Sequence, residues 1–231
     1  MGFIPLFIEM EGRRCLVIGG GAVAWRKCES LLSAGACLTV ISPSLVPALR
    51  QARDTGRLSH VERCYQPGDL SGYSLIYCAV NDPELGRRIY AEARGRGALV
   101  NVADQLERCT FIVPAVARRG RVQVAVSTAG ASPAVAARLR TRLAAQLSPQ
   151  LEVMVEIMAA VRDWLKRHEP RAEVRARKLA ALADSDLEAA LARGDTPAAA
   201  DIVERCLGAV LPWAELGLAL AARPYTPGAG P

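Results

Sequence analysis

The sequence predicts an α/β fold, with a parallel sheet first, a small α+β segment next and a helical carboxyl-terminal region last. Three observations carry this. Short apolar runs alternate with amphipathic helical stretches through the first half, the pattern of strands joined by crossover helices. Three glycines, Gly19-Gly20-Gly21, stand between the first run and the first helix. Between Glu107 and Glu152 there is no acidic residue, while arginines recur.

Residues Met1 to Met10 are apolar, without a basic leader and interrupted by Pro5, and read as an edge strand rather than a signal peptide. Arg14 to Ile18 has the composition of a buried parallel strand. Ala22 to Ala34 reads as a helix with Val23, Leu31 and Leu32 among its apolar positions, closed by Gly35. Leu38 to Ile41 is a second strand, halted by Ser42-Pro43, and it completes a βαβ unit of about thirty residues. Leu45 to Arg53 reads as helix, Leu58 to Cys64 and Leu75 to Ala79 as strands, and Glu84 to Arg94 as a helix that Pro83 starts. Leu99 to Val102 is the next strand.

Phe111 to Pro114 reads as a strand leaving the sheet, Arg118 to Arg121 as a turn, and Val122 to Val126 as an alternating strand. Ser132 and Pro133 are suited to cap and open a helix running to Leu147. Leu151, Met154, Val155, Met158, Val161 and Leu165 form an apolar helical stripe that faces a core. After Glu169, short helical patterns break near Gly194 and Pro197. Leu207 to Ala222 reads as one more helix, and 224–231 as a disordered end. His168, near a helix end, reads as exposed.

In a Rossmann-like parallel sheet, ligands bind at the carboxyl ends of the strands. Gly19, Gly21 and Ala24 match G-x-G-x-x-A. The first allows the turn, the second lets a pyrophosphate approach backbone, and the small third lets helix and strand pack closely. The helix start supplies free N–H groups for phosphate. The expected dinucleotide contacts are therefore Gly19, Gly20, Gly21, Ala22, Val23, Ser42, Pro43, Ala79, Val80, Asn81, Asn101 and Val102. An NAD site usually has an acid about twenty residues on, at the end of the second strand, to hold the ribose 2′-hydroxyl. Here Ser42 and Ser44 stand there instead, and Arg50 is the first arginine that follows. The reading leans to NAD over NADP.

Asp104 follows the strand Leu99 to Val102 and points to either a turn residue or a carboxylate on the nicotinamide side of the cleft. The acid-free stretch holds Arg108, Arg118, Arg119, Arg121, Arg138, Arg140 and Arg142, a field suited to an anion. Arg118, Arg119, Ser127, Thr128, Gly130 and Ser132 are the candidate substrate contacts, because hydroxyls, a glycine and a helix start there suit carboxylate or phosphate.

Composition narrows the classes. The chain has 231 residues, 51% hydrophobic and 23% charged, with a formal net charge of +6, within the globular range. No apolar run approaches the ~20 residues of a membrane span, and a cytoplasmic location is the default expectation. The seven cysteines are odd in number and form no C-x-x-C pair. They read as small buried residues, and with two histidines no metal site is expected. Nucleic-acid binding ranks last, since three Phe and three Trp leave few stacking platforms. A nucleotide-sensing regulatory module without catalysis is the alternative to an enzyme.

The motifs converge. F-I-E-M-E-G-R-R-C-L-V-I-G-G-G-A-V-A-W-R-K, A-G-A-C-L-T-V-I-S-P, N-V-A-D, F-I-V-P-A and V-A-V-S-T-A-G-A-S-P, in this order over about Ile4 to Leu147, resemble the precorrin-2 dehydrogenase / sirohydrochlorin ferrochelatase family, including the amino-terminal module of siroheme synthase. The resemblance implies oxidation of precorrin-2 to sirohydrochlorin with NAD, in some members followed by Fe²⁺ insertion to siroheme. It implies Asp104 as the central catalytic acid, no resident metal, a homodimer and no nucleic-acid or membrane partner. It implies a nucleotide domain over 1–113, a dimerisation and substrate segment over 114–147, a helical domain over 148–222 and a disordered tail over 223–231. Thr128 departs from the family, where a serine phosphorylated in some members can stand, and no modification of Thr128 is expected. The methyltransferase domain of full-length siroheme synthase has no counterpart in this sequence, so a separate uroporphyrinogen methyltransferase is expected upstream.

Overall fold

The computed structural model describes residues 2–213. The predicted disordered end and most of the helix expected over Leu207 to Ala222 lie outside those residues. The chain forms two compact units. One holds the residues up to Val113 with Ala129–Ala131, and the other holds Pro114–Thr128 and the residues from Ser132 on.

The first unit is a five-stranded parallel sheet in the order β3-β2-β1-β4-β5. Its strands are β1 (Arg14–Ile18), β2 (Cys37–Ile41), β3 (Ser59–Val61), β4 (Leu75–Cys78) and β5 (Leu99–Val102), with helices α1 (Ala22–Leu32), α2 (Pro47–Asp54) and α3 (Pro83–Gly95) between them. The α/β parallel-sheet class is as the sequence predicts. Alternation along β1 divides the core. Cys15 and Val17 join Cys28, Leu31 and Leu49 on one face, while Leu16 and Ile18 join Ile89 and Ala93 on the other. Both faces of β1 are covered, which explains its unbroken apolar sequence. Helix α1 ends earlier than expected. The Gly35 N–H donates to the Leu32 carbonyl and the Ala36 N–H to that of Leu31, a glycine-closed helix end.

Register fixes the site. Ile18 pairs with Ile41 on one side and Cys78 on the other, and Cys78 pairs with Val102. Gly19, Ser42, Ala79 and Ala103 therefore leave four neighbouring strands at one level. The strand order reverses beside β1, which opens a crevice at this end of the sheet.

The second unit begins with an antiparallel hairpin, β6 (Ala115–Arg119) and β7 (Val122–Val126). Helix α4 (Pro133–Ala144) packs on both of its strands. Helices α5 (Pro149–His168), α6 (Ala172–Ala183), α7 (Leu187–Ala192) and α8 (Thr196–Leu207) follow. They share a core that includes Met154, Ile157, Val161, Leu165, Leu182, Leu187, Val203 and Leu207.

Several expectations are corrected. Residues 2–10 form no strand. Ile4 and Phe7 are largely exposed, and Pro5 lacks the N–H that a ladder needs. Phe111 to Pro114 forms no strand, and the Phe111 ring packs edge-on to Tyr77 at 5.4 Å. Arg118 and Arg119 lie in β6, and the turn narrows to Gly120-Arg121. Strand β3 is shorter than Leu58 to Cys64, and α4 stops three residues before Leu147. On α5, Ile157 is buried although the expected stripe does not include it, and Met158 packs half-buried against the same core. The break expected near Gly194 and Pro197 does fall there, between α7 and α8, with Pro197 in the first turn of α8. Cys37 and Cys64 are exposed, while Cys15, Cys28 and Cys78 are buried.

Candidate functional site

The glycine turn is built by close approach. Gly19 has φ +119, and a Cβ there would lie 2.9 Å from the Ala79 carbonyl carbon. Its N–H donates to the Ile41 carbonyl at 2.9 Å, so the turn is held by the strands on both sides of β1. A Cβ on Gly20 would overlap the Ser44 carbonyl oxygen and lie 2.5 Å from Ser42 Oγ. The Val46 N–H donates to the Gly20 carbonyl at 2.9 Å. Gly21 differs. A Cβ there would meet nothing within 4 Å. Gly21 is also the N-cap of α1, with no side-chain cap and no acid in the first turn. The start of α1 is thus uncapped by any side chain and has room beside Gly21, as a phosphate requires. Ala24 is fully buried where α1 meets the sheet. The residues present fit a dinucleotide: two glycines shape the turn, the third leaves room for the ligand, and Ala24 lets the helix sit close.

The neighbouring strand ends differ in availability. Ser42 is buried, its Oγ donating to the Ser44 carbonyl at 2.7 Å. Its hydroxyl holds the β2 exit loop, and Ser44 is the exposed hydroxyl of the pair. Pro43 is exposed and Ala79 and Val80 are half-buried, with Asn81 exposed. Ala22 and Val23, in the first turn of α1, are exposed beside Gly21. The Asn101 amide donates to the Phe111 carbonyl at 3.1 Å and to Cys109 Sγ at 3.4 Å. Its side chain therefore braces the loop that follows β5, and Val102 is buried.

Asp104 is exposed, with φ +60. Left-handed backbone is unusual for a residue with a Cβ and is tolerated best by Asn and Asp. Asp104 stands two residues beyond β5, at the sheet's carboxyl end. Lys27 of α1 is the site residue that sequence reasoning missed, although it ends the glycine motif. Its ammonium lies 5.3 Å from the centre of the Tyr77 ring. Burial pushes its pKa down, with the Arg26 charge adding to this, while Cys109 and Asp104 act in the opposite sense. Burial also raises the Cys109 thiol, which donates to the Val102 and Gln105 carbonyls.

The basic stretch is less free than its sequence implies. Arg108 donates to the Pro83 carbonyl and to Gln105, which ties the loop after β5 to α3. In the second unit, Arg121 pairs with Glu156 at 2.9 Å, so an acid from α5 compensates it. Arg118 reaches Gln123 across the hairpin, and Arg119 is half-buried. Arg138, Arg140 and Arg142 line α4 without an acidic partner among the described residues.

The loop before α4 is closed by side chains. Thr128 Oγ1 donates to the Ser132 carbonyl at 3.0 Å and accepts from the Ser132 N–H at 3.0 Å. Ser132 Oγ caps α4 by accepting from the Val135 N–H at 3.3 Å. Ser127 is exposed. Gly130 has φ +86, and a Cβ there would overlap Leu106. Among the described residues no three His, Cys, Asp or Glu side chains group as a metal site, and no helix is long and apolar enough to cross a membrane.

Residues 6–115 match a family model described as putative NAD(P)-binding. Residues 119–146 match the model of the sirohaem biosynthesis protein central region. Over these regions the chain is similar to siroheme synthases. A siroheme synthase from Chromobacterium violaceum is 35% identical over all 231 residues, which cover 48% of that protein. A siroheme synthase from Methylobacillus flagellatus is 43% identical over 141 residues, 61% of this chain and 30% of that one. The chain thus spans half or less of the length of these siroheme synthases. Among solved structures, SirC, a precorrin-2 dehydrogenase, superposes with a TM-score of 0.72 at 22% identity, over 88% of this chain and all of SirC. At that identity the likeness concerns the fold.

Proposed function

We propose that this chain is an NAD-dependent dehydrogenase that oxidises precorrin-2 to sirohydrochlorin. The observation that carries the proposal is the open, uncapped start of α1 at Gly21, at the same end of the sheet as Asp104, which follows β5. A dinucleotide would be held by the glycine turn and the first N–H groups of α1, and would supply the hydride acceptor. The protein's part is to position the macrocycle and take the accompanying proton. The oxidation removes one hydride and one proton, and a carboxylate at Asp104 receives that proton or orients the carbon that loses it. Precorrin-2 is a polycarboxylate, and Arg118, Arg119, Ser127, Thr128, Gly130 and Ser132 are the residues proposed to hold its carboxylates.

The similarity to siroheme synthases supports precorrin-2 as substrate, and a homodimer and a cytoplasmic setting are part of the same proposal. Fe²⁺ insertion into the product is a second proposed step, in which Asp104 accepts pyrrole protons. Incubating the protein with precorrin-2 and NAD⁺ tests the reading. NADH and the sirohydrochlorin spectrum should appear together, and no oxidation under conditions in which SirC works overturns it. Anaerobic addition of Fe²⁺ to sirohydrochlorin tests the second step separately.

A further inference from the structure

The β2 exit loop of the first unit borders a cavity of about 290 Å³ lined by Ser44, Arg50, Arg53, His60 and Glu62, among others. The cavity adjoins the glycine turn, because Ser44 is the residue whose carbonyl presses on Gly20. In a dinucleotide fold this is the side on which the adenosine ribose lies, and an acid at the end of β2 binds its 2′-hydroxyl and repels a 2′-phosphate. That acid is missing here. Ser42 takes its place and turns its hydroxyl onto the Ser44 carbonyl.

The cations lining the cavity come from α2. Arg50 is exposed and has no ion-pair partner among the described residues. Arg53 pairs with Asp54 at 2.8 Å. His60 is oriented by its Nε2 contact with the Ser42 carbonyl at 2.9 Å. Glu62 is the one carboxylate in the lining, and it stands at the end of β3, not of β2.

Resting on the dinucleotide reading above, we infer that the adenosine end of this site accepts a 2′-phosphate, so that the protein takes NADP as well as NAD, with Arg50 as the residue that recognises the phosphate. Two features support this together: β2 itself ends without an acid, and an unpaired guanidinium lines the cavity, with Glu62 after β3 as the one opposing carboxylate in the lining. Arg50 can supply a charge-assisted, bidentate contact.

The test is calorimetric titration of the purified chain with NAD⁺ and with NADP⁺, and with 2′,5′-ADP against 5′-AMP to isolate the adenosine end. NADP⁺ is expected to bind within about tenfold of NAD⁺ or more tightly. Arg50→Ala is expected to lower the NADP⁺ to NAD⁺ affinity ratio by about ten- to a hundredfold, the range for one charged hydrogen-bond partner. Ser44→Asp, which restores an acid next to β2, should lower the same ratio without touching Arg50. NAD⁺ binding with NADP⁺ weaker by more than about a hundredfold overturns the inference and leaves the dinucleotide site standing. An unchanged ratio in both variants removes Arg50 and the β2 end from recognition and overturns it as well. Failure of both dinucleotides to bind overturns the dinucleotide reading itself.

Discussion

Adjacent glycines in the turn should respond differently to the same methyl group. In Gly20→Ala the new Cβ would lie 2.5 Å from Ser42 Oγ and overlap the Ser44 carbonyl oxygen. The Ser44 atom is backbone, held by the Ser42 hydroxyl and by the Val46 to Gly20 hydrogen bond, so the loop must shift as a piece. Overpacking of this kind costs about 1–3 kcal/mol, a fall in midpoint of roughly 2–4 °C per kcal/mol for a chain of this size. In Gly21→Ala the Cβ meets nothing within 4 Å, and φ is −89. The loss of a favourable N-cap glycine and the gain from a stiffer unfolded chain each amount to about 1 kcal/mol or less and oppose each other. Stability should stay within about 1 kcal/mol of wild type. The methyl group stands where the pyrophosphate must come, so NAD⁺ affinity should fall roughly five- to a hundredfold, the same overpacking term read as binding. Thermal unfolding and calorimetry on both variants form the assay. Gly21→Ala binding NAD⁺ as tightly as wild type would refute the placement of the pyrophosphate over α1.

Asp104→Asn keeps a side chain that tolerates the positive φ, so folding should be intact while turnover falls by about a hundredfold or more and NAD⁺ affinity holds; near-normal turnover removes Asp104 from proton transfer. Lys27→Met removes an ammonium that burial disfavours and keeps the stem, so the unfolding midpoint at neutral pH should be equal to or above that of wild type. A marked drop would show that the cation over Tyr77 outweighs its desolvation. Arg63 holds the Asp69 carboxyl below its ordinary pKa through a bidentate hydrogen bond. The stability this gives is present above the ordinary carboxylate pKa of about 4 and is lost as pH falls through the lower folded value. NMR titration should find Asp69 moving upward in Arg63→Leu, and no movement would contradict the pairing.

The sheet was legible because buried parallel strands are apolar on both faces. Arg14 to Ile18 and Leu75 to Cys78 could be little else. The helix starts were legible from Pro83, Ser132 and Pro133. Other features depend on partners distant in sequence. That Gly20 is packed and Gly21 open follows from where the Ser44 loop lies, which no motif states. That the Ser42 hydroxyl is engaged follows from the same loop. Arg121 looked uncompensated because Glu156, its partner, stands on α5 beyond the acid-free stretch. The region after Glu169 looked featureless, yet Leu182, Leu187, Val203 and Leu207 pack into one core. Its alanines hid the helical period, since small apolar residues occur on both faces. Lys27 went unnoticed because a lysine at a motif's end ordinarily faces water, and its half-buried position over Tyr77 appears only when α1 lies on β4.

The central claim is that the crevice at Gly21 and Asp104 oxidises precorrin-2 with a bound nicotinamide dinucleotide. Stopped-time spectra of the purified chain with precorrin-2, with and without NAD⁺, test it most directly. The account predicts sirohydrochlorin and NADH in equal amounts only when NAD⁺ is present, and loss of both in Asp104→Asn. Tight binding of NAD⁺ with no oxidation of precorrin-2 would contradict it.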